Sequence, residues 1–223
     1  MKRPDRALSS ASYALRSAKR ARRLFTRACG STQSARFKGS RRGGAELETI
    51  AYREESFPRR ESPPAPVRLS VFRRDRFHCL YCQRKVIFTP VMHLIGRLYP
   101  ESFPYTPYWR GGQTHPAVIL CSARVDHERP GAWGGSWSDI DNLVTACNPC
   151  NKAKADLALE EIGWTRHPPP DVSDWDGLTR YYAPLWNLVQ PRLPQIAASL
   201  GWTDVGQAME LRYHKRWLRL LAT

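Results

Sequence analysis

The chain has 223 residues, which allows one domain with extensions or two small domains. Its formal net charge is +15, and residues 1–60 contribute +11 of this, with 16 Lys and Arg against 5 Asp and Glu. Such an excess serves either solubility or the binding of a polyanion. No apolar run approaches the ~18 residues that a membrane-spanning helix needs, so we expect a soluble protein with no membrane partner.

Residues 1–66 form the first segment, a basic tail that ends in a Pro-rich linker over residues 61–66. The tail has no acidic residue between Asp5 and Glu46, and residues 11–27 could form a basic helix on an anionic surface. Three interpretations stay open: a disordered tail that adds affinity for a polyanion such as DNA, translated sequence upstream of the true start, and a mitochondrial-type targeting segment. We predict a disordered tail.

Residues 67–85 lead into a first cysteine pair, Cys79-Leu80-Tyr81-Cys82, and residues 86–118 form an insertion. The helical spacing of Val91, Leu94, Ile95 and Leu98 predicts a packing helix. The following aromatic residues are expected to form a small subcore, with stacking on nucleic-acid bases as the alternative: Phe103, Tyr105, Tyr108 and Trp109.

Four of the six cysteines form two C-x-x-C pairs, Cys79/Cys82 and Cys147/Cys150. Four thiolates suit a tetrahedral zinc ion and leave no position for water, so this zinc would be structural. His78, although adjacent to Cys79, is not needed as a ligand. We interpret Cys121 as a small buried hydrophobic residue. This cysteine usage predicts a reduced, intracellular and cytoplasmic protein.

The region around the second cysteine pair predicts two strands and a helix. The β-branched run at residues 143–145 and its candidate partner at residues 123–125 favour short strands. Asn148 is typical of a helix N-cap and Pro149 of the first helical position. This arrangement would bring Asp126, His127 and Asn151 towards one point.

These motifs together resemble the HNH endonucleases, in the zinc-stapled branch of the ββα-metal (His-Me finger) group. The resemblance covers roughly residues 67–163, and Asn stands at position 151 where the family often has His. It implies an α+β fold with a small ββα-metal core, and hydrolysis of DNA to 5′-phosphate and 3′-hydroxyl ends. The matching positions are Asp126-His127, Pro130, Gly134-Gly135, Asn142-Leu143, Cys147, Cys150, Asn151 and Lys154.

The residue types suit phosphodiester hydrolysis. Histidine, as a residue type, has an unperturbed pKa near ~6.5 that suits a general base at neutral pH, and His127 is the candidate for this role. Asp126 and Asn151 offer the hard oxygen atoms that a catalytic Mg²⁺ or Mn²⁺ ion prefers. By resemblance, Asn142 pins the loop that orients the histidine. Candidate contacts to DNA phosphates are Lys152, Lys154, Arg124 and Arg129.

The alternative function is a zinc-knuckle module that binds nucleic acid without cleaving it. Such a module has no need of an adjacent Asp126 and His127 or of a hard donor at position 151, so the sequence favours the enzyme. RNA stays open as a substrate. Because one active site cuts one strand at a time, a double-strand break would require a homodimer or two successive binding and cleavage events.

Residues 164–223 are predicted to form a helical C-terminal extension, preceded by a short amphipathic helix over residues 157–164. Tyr181, Tyr182, Leu185, Trp186 and Val189 have helical spacing. A last helix is predicted from Asp204 to Leu221. We expect its apolar face to carry Met209, Leu211, Leu218 and Leu221, opposite a basic face of Arg212, Lys215, Arg216 and Arg219.

Overall fold

The computed structural model describes residues 62–106, 109, 112–131 and 134–223. The predictions for residues 1–61 and for Tyr108 lie outside the described residues. Helix α1 (Ala65–Arg74) begins within the Pro-rich segment that we expected to be an extended linker. Pro66 occupies the first turn of α1, where a missing N–H leaves no hydrogen bond unmade, so the proline starts the helix instead of preventing it.

Two antiparallel strands form a small sheet, as the sequence predicts. Strand β1 (Ala123–His127) pairs with β2 (Leu143–Cys147), so that Ala123 lies opposite Cys147 and His127 lies opposite Leu143. Among the described residues this is the only sheet, and the rest of the secondary structure is helical. The architecture is therefore mixed α and β, with the strand ends fixing where Asp126 and His127 are placed.

The backbone groups of Thr145, on the outer edge of β2, form hydrogen bonds with residues that follow α1. The Thr145 amide donates to Asp75 Oδ2 at 2.7 Å, and the Thr145 carbonyl accepts from the Leu80 amide at 2.9 Å. Asp75, which follows α1, is completely buried. An isolated two-stranded hairpin is marginally stable in water, so these contacts replace the third strand that the sheet lacks.

The insertion contains two helices, α2 (Thr89–Leu98) and α3 (Pro116–Cys121). Val91, Leu94 and Ile95 are buried on α2, which confirms the predicted packing helix, and Leu98 is half-buried. Backbone hydrogen bonds tie Ile87 to both Cys121 and Ala123, so the insertion enters the fold beside the start of β1. Cys121 is fully buried, as predicted.

The C-terminal part is helical but differs from the sequence prediction in two places. The expected helix over residues 157–164 is only a 3₁₀ turn, Glu160–Ile162. Further 3₁₀ turns, Thr179–Tyr181 and Gln190–Arg192, flank α5 (Tyr182–Val189), and α6 (Leu193–Ser199) follows. Helix α7 (Asp204–Leu221) has the predicted bounds, and Leu211, Leu218 and Leu221 of its predicted apolar face pack against the core while the predicted basic residues are exposed. Met209 departs from the prediction because it is 60% exposed, and the most deeply buried residues are Glu210, His214 and Trp217.

One aromatic core joins the insertion to the C-terminal helices. The ring of Phe88 meets Trp217 of α7 edge to face, with centroids 4.9 Å apart, and also contacts Phe72 of α1 and Tyr182 of α5. Of the insertion aromatics, Phe103 is buried, and Tyr105 and Trp109 pack on the core from its margin. Within the described part of the chain, no helix combines the length and apolar character that crossing a bilayer would require.

Candidate active site and metal centre

The four predicted cysteines converge on one point. Cys79 and Cys82 lie in the turn after α1, Cys147 ends β2, and Cys150 lies in the first turn of α4 (Asn148–Lys154). Their Sγ atoms all lie within 4.8 Å of one another, and Cys82 Sγ is 3.8 Å from Cys147 Sγ. A tetrahedral ion with metal–sulfur bonds of about 2.3 Å requires sulfur–sulfur distances of about 3.8 Å, so these side chains fit a metal ion.

Helix α4 starts one residue earlier than the sequence predicts. Cys147, not Asn148, is the N-cap, and Pro149 lies at the second helical position. The side chain of Asn148 instead donates to the carbonyl of Ile119 at 2.9 Å, which fastens α4 to α3. The cysteine that ends β2 thus also begins α4, and a metal at Cys147 and Cys150 would fix the turn between them.

Asp126 is buried at the end of β1 and is surrounded by donors. Its Oδ2 accepts a hydrogen bond from the Tyr81 hydroxyl at 2.7 Å and lies 3.4 Å from Lys154 Nζ. Its Oδ1 accepts from the amide nitrogen of Asn151 at 2.9 Å. Burial raises the pKa of Asp126, while the Tyr81 hydrogen bond and the Lys154 charge oppose that rise. The predicted pair Asp126 and Asn151 is therefore in direct contact.

His127 is oriented by the loop between the strands. Its Nε2 lies 3.1 Å from the carbonyl oxygen of Trp137, and its ring meets the Trp137 indole edge to face at 4.9 Å. A carbonyl oxygen can only accept, so Nε2 must carry the hydrogen. In the neutral ring Nδ1 is then the unprotonated nitrogen, available to take a proton.

Asn142 pins this loop, in the role that the resemblance implies. Its side-chain nitrogen donates to the carbonyls of Arg129 at 3.0 Å and Ser136 at 2.8 Å, and its oxygen accepts from the Arg129 amide at 2.9 Å. Gly135 lies against the same backbone, and a Cβ there would collide with the Arg129 carbonyl. The amide therefore closes both sides of the loop that presents Trp137 to His127.

The four candidate phosphate contacts separate into two groups. Lys152, Arg124 and Arg129 have exposed side chains. Lys154 is completely buried and donates to the His127 carbonyl at 2.8 Å besides its approach to Asp126. This location does not fit the expected contact of Lys154 with DNA, because the ammonium group is enclosed by the residues that it supports.

A cleft of about 240 Å³ opens over the predicted catalytic residues. Asp126, His127 and Asn151 line it together with Trp137. The sequence did not identify Tyr81, Trp137 or the supporting role of Lys154. Tyr81 lies inside the first cysteine pair, 45 residues before Asp126, and Trp137 contributes a backbone carbonyl, which carries no residue-type signal.

The comparison with known proteins finds one matching family model but no similar individual protein. The family model described as HNH endonuclease matches residues 118–157, which run from α3 through both strands and α4. Neither a curated protein nor a solved structure matches the chain. The matched segment contains Asp126, His127, Asn142 and Asn151 and the second cysteine pair, whereas Cys79, Cys82 and Tyr81 lie outside it.

Proposed function

Because residues 118–157 belong to the HNH endonuclease family, we propose that the chain is a metal-dependent endonuclease that hydrolyses DNA phosphodiester bonds at His127. One observation carries this proposal: the hydrogen bond between His127 Nε2 and the Trp137 carbonyl, in the same cleft as the Asp126–Asn151 contact. A fold that only bound nucleic acid would have no need to fix the tautomer of a histidine in the same cleft as a pair of hard oxygen donors.

His127 acts as the general base in this proposal. With Nε2–H held by the Trp137 carbonyl, Nδ1 accepts the proton from the attacking water. The same hydrogen bond supports the protonated ring afterwards, because Nε2–H keeps its acceptor. Asn142 contributes by holding the loop that carries Trp137, so it is a positioning residue that has no direct part in the chemistry.

Asp126 and Asn151 are the residues that would hold a catalytic Mg²⁺ or Mn²⁺ ion. The Asn151 amide nitrogen contacts Asp126, which leaves its oxygen for a cation, and the buried Asp126 carboxylate is a hard donor. The ion would supply positive charge to the phosphate oxygens as negative charge develops on them. Burial raises the pKa of Asp126, and the Tyr81 hydrogen bond and the Lys154 charge oppose that rise, which favours the carboxylate form that a cation needs.

The four cysteines would hold a structural zinc ion. All four positions of a tetrahedral ion would be taken by sulfur, so the ion would have no place for water or substrate. The cluster joins the turn that carries Tyr81 to the β2–α4 junction that carries Asn151. Zinc would thereby align two of the groups that contact Asp126.

Cleavage of supercoiled plasmid by the purified protein in the presence of Mg²⁺ or Mn²⁺ tests the function. Replacing His127 with Ala removes the base, so the rate should fall about 10²–10⁴-fold while affinity for DNA changes little. Asp126→Ala should also stop cleavage, but excess Mn²⁺ should partly restore it, because that variant has lost a ligand and keeps its base.

His167→Ala provides the matched control, since His167 has an exposed side chain and does not line the cleft. It should cut at the parent rate. If His127→Ala and Asp126→Ala also cut at the parent rate, the catalytic assignment is wrong. If the parent protein binds DNA and cuts neither DNA nor RNA with any divalent ion, the zinc-knuckle binding module is the correct function.

A further inference from the structure

A second cavity lies between α1, the first half of β1 and α7. Its volume is about 300 Å³, which is at the lower end of the range for ligand pockets. Its walls include two arginines, Arg68 of α1 and Arg124 of β1, and aromatic rings from three parts of the chain: Phe72, Trp109, Tyr213 and Trp217. A cavity with this lining suits an anion that is attached to a flat ring.

The two arginines lack the partners that other arginines of this chain have. Arg74, Arg97 and Arg166 contact Asp75, Glu210 and Glu128 at 2.7, 3.0 and 2.8 Å. Among the described residues, by contrast, no carboxylate forms an ion pair with Arg68 or Arg124. The Nε of Arg68 is buried and has no hydrogen-bond partner there. A buried donor without an acceptor is costly, so an acceptor on a bound ligand would stabilise this nitrogen.

Each guanidinium group is held in place by an aromatic ring. Arg68 lies over Trp217 with 5.4 Å to the ring centroid, and Arg124 lies over Trp109 at 4.0 Å. Partial burial lowers the pKa of both groups, although part of the Arg124 side chain is exposed to solvent. Tyr213 and Tyr105 oppose this shift on Arg68 and Arg124, whereas the charges of Arg216 on Arg68 and of Arg68 on Arg124 act in the same direction as burial. Among the described residues no carboxylate offsets these two positive charges on the wall of one cavity, so an anion bound there would reduce their repulsion.

The cavity is close to the proposed catalytic cleft. Arg124 lies two residues before Asp126 on β1, which corresponds to about 7 Å along the strand. Ser62 and Pro63, which precede α1, also line the cavity. A DNA strand with one phosphate at His127 and Asp126 would therefore have a neighbouring nucleotide within reach of Arg124.

We propose that this cavity binds one nucleotide unit of the DNA strand next to the cleaved bond, with its phosphate between Arg68 and Arg124. The base or sugar then packs on the aromatic walls, as unpaired nucleotides do in single-strand-binding proteins. This inference rests on the proposed function. It adds that a defined pocket binds the strand next to the cleaved bond, in addition to the non-specific attraction of basic residues for phosphates.

The test measures binding of a short fluorescein-labelled single-stranded DNA by fluorescence anisotropy, without added divalent ion, so that no cleavage occurs. Arg68→Gln and Arg124→Gln should each weaken binding about tenfold or more, as expected for the loss of a hydrogen bond to a charged group. Arg192→Gln is the matched control: it removes the same charge from an exposed position outside the cavity, and it should weaken binding less than twofold.

A scan with single neutral methylphosphonate linkages then identifies the phosphate. At one position, neutralisation should weaken binding to the parent and to Arg192→Gln about tenfold, but should have a clearly smaller effect on Arg124→Gln, in which only the Arg68 contact with that phosphate is left to lose. Equal penalties in Arg124→Gln and the parent at every position would overturn the proposal, as would a parent that binds no DNA. If the position-specific coupling is present but the parent never cuts, the pocket stands and the proposed function fails.

Discussion

Lys154 is a buried charge that lies between Asp126 and His127. Its ammonium group donates to the His127 carbonyl at 2.8 Å and lies 3.4 Å from Asp126 Oδ2, with no exposure to solvent. Burying an ammonium group is costly unless it is paired and hydrogen-bonded. The same is true of Asp126, whose pKa burial raises. The Lys154 ammonium group and the Asp126 carboxylate therefore each reduce the energetic cost of burying the other.

At the scale of single residues we predict that Lys154→Met is strongly destabilising. Methionine fills a similar volume but leaves the buried Asp126 carboxylate without its neighbouring positive charge and the His127 carbonyl without its donor, which should cost ~3–5 kcal/mol of unfolding free energy. Lys152→Met is the matched control, since Lys152 is exposed on the same helix and should change stability by ~0.5 kcal/mol or less. Urea denaturation of the two variants measures the difference, and equal midpoints would contradict the supporting role.

The residues that the sequence did predict share one property: their chemistry is tied to spacing in the chain. The four cysteines and the adjacent Asp126 and His127 could be identified because a metal site and a hydrolytic site need those residue types at those separations, and Asn142 could be identified because its position matches the HNH pattern. Tyr81 could not be identified, because a tyrosine within a cysteine pair is an ordinary packing residue until the fold brings it to Asp126. Lys154 was identified but given an exposed role, because spacing does not reveal burial.

At the scale of elements, the four-cysteine cluster connects two pieces of chain that are distant in sequence. Cys82 and Cys147 are separated by 65 positions, yet their sulfurs are 3.8 Å apart. The sheet beside them has only two short strands, so pairing alone provides little stability. A metal ion that is bound only in the folded state contributes its binding free energy to folding.

We therefore predict that Cys82→Ser and Cys147→Ser each lower the melting temperature and the zinc content together. Gln83→Asn is the matched control in the same turn, because Asn tolerates the positive φ of 58° at this position and is not a ligand. It should retain about one zinc ion per chain. Elemental analysis combined with thermal melting makes the comparison; a Cys147→Ser protein that keeps its zinc and its melting temperature would show that this cluster is not the metal site.

Helix α7 shows why the bounds of an element can be predicted from the sequence while some of its buried residues cannot. Its bounds follow from an N-cap threonine, Thr203, and a long run of helix-forming residues. Its buried face does not follow from hydrophobicity, because two of its buried residues, Glu210 and His214, are polar. Their partners lie on α2 and α5, and no pattern within α7 specifies them.

At the scale of the whole molecule, a buried polar cluster joins α7 to α2. Glu210 Oε1 lies 3.0 Å from Arg97 Nε, 3.2 Å from His93 Nε2 and 3.5 Å from His214 Nε2. His214 is fixed from the other side by the Tyr182 hydroxyl at 2.6 Å. Burial lowers the pKa of His93 to about 3, so at neutral pH His93 is uncharged and Arg97 is the cation that pairs with Glu210.

The charges of this cluster make the fold sensitive to acid, in two ranges of pH. The unfolded chain protonates His93 near pH ~6.5, whereas the folded chain resists until about pH 3, so stability falls as the pH decreases between these values. Burial alone would raise the pKa of Glu210, but the His214 hydrogen bond and the charges of His93 and Arg97 outweigh it and lower that pKa to about 2. The stability that Glu210 contributes is present above pH ~4.5 and is lost as the pH falls through about 2.

Between pH ~6.5 and ~4.5, only His93 of these two groups changes the stability, and this separates their effects. We predict that His93→Phe, which keeps a ring against Tyr105, reduces the loss of unfolding free energy in that range by up to ~1.4 kcal/mol per pH unit. Glu210→Gln should leave the slope unchanged there and reduce it only below pH ~4.5.

Denaturant melts of the parent and both variants across this range make the test, and any weakening of the zinc site by acid is common to all three proteins. A His93→Phe slope equal to that of the parent would mean that His93 is already protonated in the folded chain, and that an ion pair with Glu210, not a neutral hydrogen bond, joins α2 to α7.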